Sequence, residues 1–510
     1  MFQMQTYRMF IGGEWVESGS GETFDVHNPA NGKLISKVQK GTREDAKSAI
    51  DAARHAFDKG PWRHTTPSER TEVLLKLARL VEEHADALAT LESMDVGKTL
   101  KYAKGNDLPF VIDNLKFFAG AARVLDGTAS GEYVDFHSRK QHRGMGTSII
   151  RREPVGVVGA IVPWNYPLYI AVWKIAPALA AGNAIVVKPA SQTPLTVLEF
   201  AKLAEMAGVP KGVLNVVTGP GDVVGGELAS SMKVDMVALT GDTATGKEIM
   251  RLASSNVKRV HLELGGKAPM VILPDADLEA AAEGAVVGSF WNTGQDCTSV
   301  TRIYVQEGQR AKFVEMLAEK TRKFRVGDPM KDSTDMGPLV SGKQRQRVEG
   351  YVKSGMDDGA KLVLGGVRPE GREFDDGYFF EPTIFDRVHQ DMRISREEIF
   401  GPVVCVAGYS TIEEAVEMSN NTPYGLASSV WGSNIRDCFR VANELNFGTV
   451  WINEHGILAS EMPHGGFRQS GFGKDLSMGS FNEFTRTKHV YVDLTGMRKK
   501  PWHSVVYDSK

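Results

Sequence analysis

Five short runs of apolar, mostly β-branched residues decide the fold of this chain: 155-VGVVGAIV-162, 184-AIVV-187, 213-VLNVV-217, 236-MVAL-239 and 260-VHLEL-264. Stretches with helical periodicity separate these runs, and one of them ends at Gly208. Strands that alternate with helices of this length predict right-handed β-α-β units on a parallel sheet. Such a sheet binds nucleotides at the carboxyl ends of its strands, where helix N-termini present unpaired N–H groups to phosphate.

The composition of the whole chain is that of a globular protein. Its 510 residues allow about three domains, and 60 Lys and Arg against 63 Asp and Glu give a formal net charge of -3. With 42% hydrophobic and 24% charged residues, the chain is not typical of disordered, collagen-like or coiled-coil proteins. The small net charge gives no reason to expect nucleic acid or an anionic membrane as a partner.

The cysteines indicate a reducing compartment. Only Cys297, Cys405 and Cys438 are present, which is too few for a disulfide framework, and they form no metal-binding pair. The cysteine pattern therefore gives no reason to expect a metal site. No signal peptide is recognised at the N-terminus, so we expect a cytoplasmic protein. One uncharged stretch, 155–173, has the length of a membrane span, but prolines, glycines and an asparagine interrupt it. It is better interpreted as a strand, a loop and a buried helix.

Two glycine-rich segments are weak nucleotide-binding motifs when taken alone. The glycines of 219–225 miss the spacing of the dinucleotide fingerprint by one residue. The segment 241-GDTATGK-247 resembles a phosphate-binding loop, but Glu248 stands where magnesium binding needs a hydroxyl. On pattern alone, an ordinary glycine-rich turn before a helix is the better explanation of either segment, and Glu248 argues against a phosphotransferase.

Chemically useful residues stand in three short motifs, and two further landmarks accompany them: 163-PWNYP-167, 263-ELGGK-267, 294-GQDCT-298, 398-EIFGP-402 and 421-NTPYGL-426. In this set the chain resembles the aldehyde dehydrogenase superfamily, over nearly its whole length. The resemblance implies a catalytic set of Asn165, Glu263 and Cys297. Each residue alone could be structural, as a turn asparagine, a strand-end carboxylate or a buried thiol.

The chemistry of these three residues makes the implied roles intelligible. A free thiol has a pKa of about 8.5, and its thiolate is a strong nucleophile, so Cys297 is the candidate nucleophile. The oxyanion formed on an aldehyde would be held by the Asn165 amide and the Cys297 backbone N–H, and one such donor is worth roughly 3 kcal/mol. Glu263 would be the general base for the water that hydrolyses the thioester. Its presence argues against transfer of the acyl group to coenzyme A.

For the cofactor, the resemblance implies NAD or NADP in an atypical Rossmann domain. The matching positions are Trp164 and Lys188 for the adenosine half, Gly221, Gly241 and Gly246 for the pyrophosphate, and Glu398 and Phe400 for the nicotinamide ribose. Two departures concern this site. Ser191 stands where many NAD-preferring relatives have a glutamate that repels a 2′-phosphate, which admits NADP. Asp242 replaces a common serine, and a carboxylate pointing toward the pyrophosphate would weaken binding.

For the substrate, 460-SEMPHGG-466 and 470-SGFGKD-475 are most similar to the aminoaldehyde branch, in particular 4-aminobutyraldehyde dehydrogenases. A cationic amine would be surrounded by carboxylates and aromatic rings. The candidates are Asp107, Asp296, Glu454 and Glu461, with Thr298 beside the nucleophile and Tyr166, Trp173 and Trp291 along the tunnel. The alternatives are a broad-specificity enzyme for neutral aldehydes and a non-catalytic scaffold of the same fold.

The predicted fold class is α/β, with a Rossmann-like parallel-sheet domain, an α/β catalytic domain and a small arm of β-strands. The expected dinucleotide-binding domain comprises residues 1–131 and 153–265, and the expected catalytic domain residues 266–470. Residues 132–152 and 471–510 form the expected arm and a basic tail, with extended strands at Glu132–Arg152 and Thr485–Asp493. The resemblance implies that this arm joins a neighbour's sheet in a homodimer or homotetramer, which also covers an exposed strand edge.

Overall fold

The five apolar runs form neighbouring strands of one sheet in the computed structural model of the chain, which describes residues 6–124, 129–130, 133–134, 143–144 and 146–498. Within this part of the chain the strands are β1 (Thr6–Tyr7), β2 (Met9–Ile11), β3 (Glu14–Val16), β4 (Thr23–His27), β5 (Leu34–Gln39), β6 (Ala129–Ser130), β7 (Tyr133–Val134), β8 (Arg143–Gly144), β9 (Gly146–Pro154), β10 (Val157–Ile161), β11 (Ala184–Lys188), β12 (Leu214–Val216), β13 (Met236–Gly241), β14 (Arg259–Leu264), β15 (Ala268–Ile272), β16 (Val300–Gln306), β17 (Lys361–Leu364), β18 (Thr383–Asp386), β19 (Val403–Tyr409), β20 (Ala427–Trp431), β21 (Thr449–Ile452), β22 (Gly471–Phe472) and β23 (Thr485–Asp493).

The helices alternate with these strands through most of the chain. They are α1 (Arg43–Lys59), α2 (Pro67–Glu83), α3 (Ala85–Val96), α4 (Leu100–Tyr102), α5 (Leu108–Ala121), α6 (Pro167–Ala181), α7 (Leu195–Ala207), α8 (Gly226–Ser230), α9 (Thr243–Ala253), α10 (Leu278–Phe290), α11 (Glu307–Arg322), α12 (Gly342–Asp357), α13 (Arg393–Arg396), α14 (Ile412–Asn420), α15 (Ile435–Glu444) and α16 (Ser477–Glu483).

The first sheet has eight strands in the order β22-β14-β13-β10-β11-β12-β2-β3. The five central strands, β14 to β12 in that order, are mutually parallel, as the sequence predicts. Their carboxyl ends therefore lie along one edge, which carries the turns that follow Ile161, Lys188, Gly241 and Leu264. A parallel sheet buried on both faces needs continuous apolar strands, and this explains why the five runs are so apolar.

The second sheet has seven strands in the order β17-β18-β19-β16-β15-β20-β21, of which only the β17–β18 pair is antiparallel. The short segment Gly265–Lys267 connects the last parallel strand of the first sheet to β15. Cys297 lies just before β16, at the start of a central strand. The two sheets thus bring Glu263, at the end of β14, and Cys297 toward each other, and the α/β fold class is confirmed.

A separate antiparallel ribbon joins two distant parts of the chain. Strand β9 pairs with β23 from Pro154 opposite Thr485 to Gly146 opposite Asp493. This pairing confirms the extended strand predicted at Thr485–Asp493. Most of the predicted arm before residue 146 and the tail from 499 to 510 lie outside the described residues. The division into three domains remains a prediction.

Helix α6 lies in the centre of the core, and every one of its residues is buried. The stretch 155–173 is therefore a strand, a loop and the first half of this helix, as interpreted from its prolines. Among the described residues no helix is both long and apolar enough to cross a membrane. Cys405 and Cys438 are buried core residues without a disulfide partner.

Candidate active site

The thiol of Cys297 lies on a tight loop between α10 and β16. Asn292 and Thr293 have positive φ values of 49° and 60°, and Gly294 continues the left-handed path at 64°. The side-chain amide of Asn292 donates hydrogen bonds to the carbonyl oxygens of Asn165 and Gln295, at 3.0 and 3.2 Å. These bonds fix the loop, so that the half-buried thiol has a defined position.

Burial raises the pKa of the Cys297 thiol well above its usual value, and the carboxylates of Asp296, Glu263 and Glu398 raise this pKa further. A thiol in such surroundings is protonated at neutral pH. It becomes a nucleophile only when a neighbouring base removes its proton. For this thiol to attack a substrate, a base must therefore lie close to the sulfur.

The predicted base is Glu263, a buried carboxyl group whose charge acts on the Cys297 thiol. It follows Leu262 at the end of β14 and is 3% exposed. Burial and, to a smaller extent, the charge of Asp475 raise its pKa to about 8, although Lys174, His261 and Lys474 act in the opposite direction. A carboxyl group with a pKa near the working pH can take up and release a proton efficiently.

A buried charge network lies behind Glu263. Lys174 Nζ, on α6, donates to Asp475 Oδ2 at 2.6 Å, and both side chains are 0% exposed. Lys174 Nζ is also 3.0 Å from Nε2 of His261, whose Nδ1 is 2.6 Å from Glu483 Oε2. Each charge in this network has an opposite charge beside it, as buried charges require.

Asn165 is 3% exposed and follows the first strand of the β-α-β series. Its side-chain amide nitrogen donates to the carbonyl oxygen of Gln295 at 3.0 Å, two residues before the nucleophile. This bond uses one N–H of the amide and orients the second. The structure thus links Asn165 directly to the loop of Cys297.

Two cavities meet at Cys297 and Glu263. The aromatic cavity has a volume of 260 Å³. It is lined by Asn106, Phe110, Tyr166, Tyr169, Ile170, Trp173, Thr240, Glu263, Leu264, Val287, Gly288, Trp291, Asp296, Cys297, Thr298, Ser299, Glu454, His455, Gly456, Ile457, Leu458 and His464. The sheet-edge cavity has a volume of 350 Å³ and shares Ile170, Thr240, Glu263, Leu264 and Cys297 with it.

The aromatic cavity takes its shape from α6 and its N-terminus. Tyr166, Tyr169 and Trp173 follow at helical spacing, with ring centroids 5.6 and 5.1 Å apart along the series. Phe110 of α5 stacks on Tyr169 at 4.9 Å. Trp291, as predicted, also lines this cavity. Tyr169 and Phe110 were not predicted, although the spacing of Tyr169 between its two neighbours places it on the same helix face.

The predicted substrate carboxylates divide into two groups. Asp296 and Glu454 line the aromatic cavity, as does Thr298. Asp296 accepts hydrogen bonds from the Tyr166 hydroxyl at 2.6 Å and from the backbone N–H and hydroxyl of Thr298, both at 2.7 Å. A carboxylate thus stands beside the nucleophile and among aromatic rings.

The other two predicted carboxylates are not among the residues that line the cavity. Asp107 accepts a hydrogen bond from Lys98 Nζ at 2.6 Å, and the side chains of both residues are at most 3% exposed. This ion pair uses the charge of Asp107 within the core. Glu461 is exposed to solvent. Their predicted role as substrate ligands is not supported by this geometry.

The sheet-edge cavity lies at the carboxyl ends of β10, β13 and β14. Five of its lining residues are predicted cofactor ligands: Trp164, Gly241, Asp242, Glu398 and Phe400. The Trp164 and Phe400 rings meet edge to face at 5.2 Å. Glu398 Oε1 accepts a hydrogen bond from the Gly266 N–H at 2.9 Å, and burial raises the pKa of this carboxyl group to about 7. Lys343, Gln344 and Arg347 complete the lining and were not predicted.

The remaining predicted cofactor residues lie along the same sheet edge but outside the lining of this cavity. Lys188 ends β11, and its Nζ donates to the carbonyl oxygen of Pro189 at 2.7 Å. The Ser191 hydroxyl donates to the carbonyl oxygen of Gly219 at 3.0 Å. Gly221 begins a wide turn before α8, and Gly246 lies buried in the first turns of α9.

Asp242 caps the N-terminus of α9. One oxygen of its side chain accepts hydrogen bonds from the backbone N–H groups of Ala244 and Thr245, at 2.8 and 3.3 Å. Aspartate is among the preferred residues at this position because it satisfies unpaired N–H groups and complements the helix dipole. The negative charge nevertheless lies on the wall of the sheet-edge cavity.

A structural or catalytic metal ion needs several ligand side chains close together. Groups of three or more His, Cys, Asp and Glu side chains that could hold a metal ion are absent from the part of the chain that the structure describes.

The chain is similar to known proteins of one family over most of its length. The model of the aldehyde dehydrogenase family matches residues 15–490. A betaine aldehyde dehydrogenase of Bacillus subtilis is 45% identical over 95% of this chain and 96% of its own length. Aldehyde dehydrogenase 1A1 of Homo sapiens is 41% identical over 97% and 96%.

Solved structures give the same result at the level of the fold. The structure of betaine aldehyde dehydrogenase from Staphylococcus aureus in complex with NAD+ has a TM-score of 0.91 and 40% identity, and the match covers 96% of each chain. An NAD+ complex of an aldehyde dehydrogenase from Bacillus cereus has a TM-score of 0.92 and 42% identity, with 96% and 97% covered.

Proposed function

The chain belongs to the aldehyde dehydrogenase family, and on that premise we propose that it oxidises a cationic ω-aminoaldehyde, such as 4-aminobutanal, to the carboxylic acid with NAD⁺ or NADP⁺. One observation carries this proposal: Cys297 and Glu263 stand where the aromatic cavity meets the sheet-edge cavity. A substrate in the first cavity and a dinucleotide in the second would both reach the sulfur.

The reaction begins with a proton transfer. Glu263 takes the proton of the Cys297 thiol, and the sulfur forms a bond to the carbonyl carbon of the aldehyde. The electron pair of the carbonyl bond moves to its oxygen. The free N–H of the Asn165 amide and the backbone N–H of Cys297 stabilise this oxyanion, and such a donor contributes roughly 3 kcal/mol to lowering the barrier.

The sheet-edge cavity fits one half of a nicotinamide dinucleotide. Its volume of 350 Å³ and its position at the carboxyl ends of parallel strands are typical of nucleotide sites. When bound, the dinucleotide accepts the hydride that the substrate carbon releases as a thioester forms on Cys297. Glu398 can accept hydrogen bonds from ribose hydroxyls, and Trp164 and Phe400 exclude water from the junction.

The second half of the reaction frees the enzyme. Glu263 first releases the thiol proton to solvent and then removes a proton from a water molecule, whose oxygen attacks the thioester carbon. The carbon–sulfur bond then breaks, the carboxylic acid leaves, and the thiolate takes back a proton. Because Glu263 serves both halves, its protonation state sets the rate at which the site turns over.

Substrate charge is the finer part of the proposal. A cation gains energy from aromatic faces and from carboxylates in a cavity that excludes water. The aromatic cavity offers the rings of Tyr169, Trp173 and Trp291 and the carboxylates of Asp296 and Glu454. Two relatives named above are betaine aldehyde dehydrogenases, and betaine aldehyde also carries a positive charge. Neutral aldehydes lack both contributions.

A kinetic panel tests this proposal. Purified protein is given 4-aminobutanal, betaine aldehyde and neutral butanal, each with NAD⁺ and with NADP⁺, and NADH or NADPH formation is followed by absorbance. We expect kcat/KM for 4-aminobutanal to exceed that for butanal by about tenfold. Equal values contradict the cationic substrate and favour the broad-specificity alternative. A higher value for betaine aldehyde moves the substrate to quaternary amines.

The remaining alternative is a non-catalytic scaffold, and absence of reduced dinucleotide with every aldehyde would support it.

We also propose that the β9–β23 ribbon joins a neighbouring subunit in a homodimer or homotetramer. Four apolar residues of this ribbon are exposed, Ile149 with Val492 on one face and Ile150 with Tyr491 on the other, and a neighbouring subunit would cover some of them. Light scattering of the full chain measures the assembly.

A further inference from the structure

His464 carries a buried imidazole ring that lies beside Glu263. The residue is 1% exposed, and its Nδ1 has no hydrogen bond partner among the described residues. Its Nε2 lies 3.8 Å from Oε2 of Glu263. An unsatisfied buried polar group is costly, and a ring placed beside a base is the kind of exception that calls for a role.

The backbone and the packing hold this imidazole in place. His464 exchanges two backbone hydrogen bonds with Asp475, at 2.9 and 2.8 Å. Its ring packs against the indole of Trp173 with centroids 5.3 Å apart. His464 also lines the aromatic cavity together with Glu263. The ring therefore has a fixed position next to the base and next to the space for substrate.

The gap of 3.8 Å is about 1 Å longer than a hydrogen bond. Hydrogen bonds at active sites are often long in the free enzyme and shorten when substrate binds. Oε1 of Glu263 also lacks a hydrogen bond partner among the described residues, so no hydrogen bond from that oxygen holds the carboxyl group away from His464.

We propose that His464 is a positioning residue for Glu263, which donates a hydrogen bond from Nε2–H to the Glu263 carboxylate and thereby stabilises the ionised form of the base. This proposal rests on the function proposed above. The second carboxylate oxygen remains to accept the proton of the thiol or of water. Acting through Glu263, His464 would affect the rate constant rather than the binding of the aldehyde.

The surroundings keep the imidazole neutral, as this role requires. Burial lowers the pKa of His464 to about 4, although Asp475 and Asp296 act in the opposite direction. The titratable and charged groups that face the pair come from every element packed around it: Lys174, His261, Asp296, Cys297, Lys474, Asp475 and Glu483. A neutral N–H donor stabilises the carboxylate without adding another charge to this network.

The test replaces the ring in two ways and follows the pH profile of kcat. His464→Phe keeps the ring volume and the packing on Trp173 but removes the donor, and His464→Gln keeps an N–H donor. Loss of the donor disfavours the carboxylate, so the pH at which the Glu263 limb rises moves upward, by about one unit for a lost hydrogen bond to a charged group. At pH 7 kcat falls about tenfold, and the pH profile rather than KM is the readout, because the ring also lines the aromatic cavity.

We expect His464→Gln to restore most of the shift, since an amide N–H can replace the imidazole N–H. The proposal is overturned if His464→Phe leaves the pH profile of kcat unchanged, or if Phe and Gln move it equally. His464→Leu gives a second apolar variant if phenylalanine does not fit, and thermal unfolding measures whether each variant is folded. An unaltered protein that produces no NADH contradicts the proposed function itself, which separates the two failures.

Discussion

The two cavities that meet at Cys297 are built in different ways. The sheet-edge cavity is formed largely by turns that follow regular strands, such as those at Gly241 and Leu264, and its position follows from the sheet. The aromatic cavity is formed by side chains from α5, α6, the loop before β16 and the loop after β21, which are far apart in sequence. The sheet-edge cavity is therefore determined by the fold, whereas the aromatic cavity is determined by particular side chains.

This difference suggests how the enzyme divides its tasks. A site fixed by backbone geometry suits a cofactor that family members share, and a site made of side chains can change with the substrate. Residues at the junction serve both. Substitutions should accordingly abolish turnover at the junction, change substrate selection in the aromatic cavity and change dinucleotide affinity at the sheet edge.

The largest effect is expected at the junction itself. Cys297→Ala removes the only atom that forms a bond to substrate, so NADH formation should fall by more than about 10⁴-fold. Dinucleotide binding should remain measurable by quenching of tryptophan fluorescence, since Trp164 lines the sheet-edge cavity. Appreciable turnover by this variant would contradict the thioester route and remove the reason for treating the two cavities as one site.

The second effect is the pH dependence that Glu263 imposes on the junction. Its pKa is raised to about 8, so the carboxyl group is mostly protonated, and inactive as a base, at lower pH. We expect kcat/KM to rise about tenfold for each pH unit below 8 and to level off above it. Glu263→Gln should lower the activity and abolish this rise. A profile that is flat from pH 6 to 8 would show that another group is the base.

A smaller effect is expected within the aromatic cavity. Asp296→Asn removes a carboxylate beside the nucleophile and should lower kcat/KM for 4-aminobutanal about tenfold relative to butanal. The ratio is the quantity to measure, because the same substitution alters the Cys297 thiol for both substrates. Glu461→Gln is the matched control, since this exposed carboxylate lies outside the cavity and should leave the ratio unchanged. An equal loss for both aldehydes contradicts recognition of the cation by Asp296.

The smallest effect is expected at the sheet edge. Asp242→Asn keeps an oxygen that can cap α9 but removes the negative charge from the cavity wall. The KM for the dinucleotide should fall about threefold, as expected for one partly screened charge. Asp242→Ala also loses the cap, which costs about 1 kcal/mol in unfolding free energy. If Asn and Ala have the same stability, the capping role inferred from the hydrogen bonds is wrong.

The difference between the cavities also explains which parts of the site could be predicted from sequence. The strands at Val157–Ile161 and Arg259–Leu264 carry local apolar signals. The turn after the first strand holds Asn165, and the end of the second strand holds Glu263, at the same edge of the sheet. Such residues are positioned by regular structure. Gln344 and Arg347 reach the sheet-edge cavity from α12, whose amphipathic pattern contains no sign of that contact.

Side-chain partners were harder to predict than strand ends. Asp107 appeared suited to bind a cation, but Lys98, nine residues before it, occupies its carboxylate in the core. The motif around His464 was part of the resemblance, yet its proximity to Glu263 depends on the pairing of its backbone with Asp475. Asp242 was expected to weaken dinucleotide binding if its carboxylate pointed inward, and the structure places it on the cavity wall, where it also caps α9. Each of these outcomes depends on a contact that the local sequence does not specify.

The ion pair between Lys174 and Asp475 has a consequence for the synthesis of the protein. The two residues are 301 positions apart, and α6 buries Lys174 completely. Before the ribosome has translated Asp475, α6 can pack only by enclosing the positive charge of Lys174 without its partner, which is strongly unfavourable. The nascent chain therefore cannot complete its central core in N-to-C order. Native packing around α6 has to wait until the last tenth of the polypeptide has left the exit tunnel.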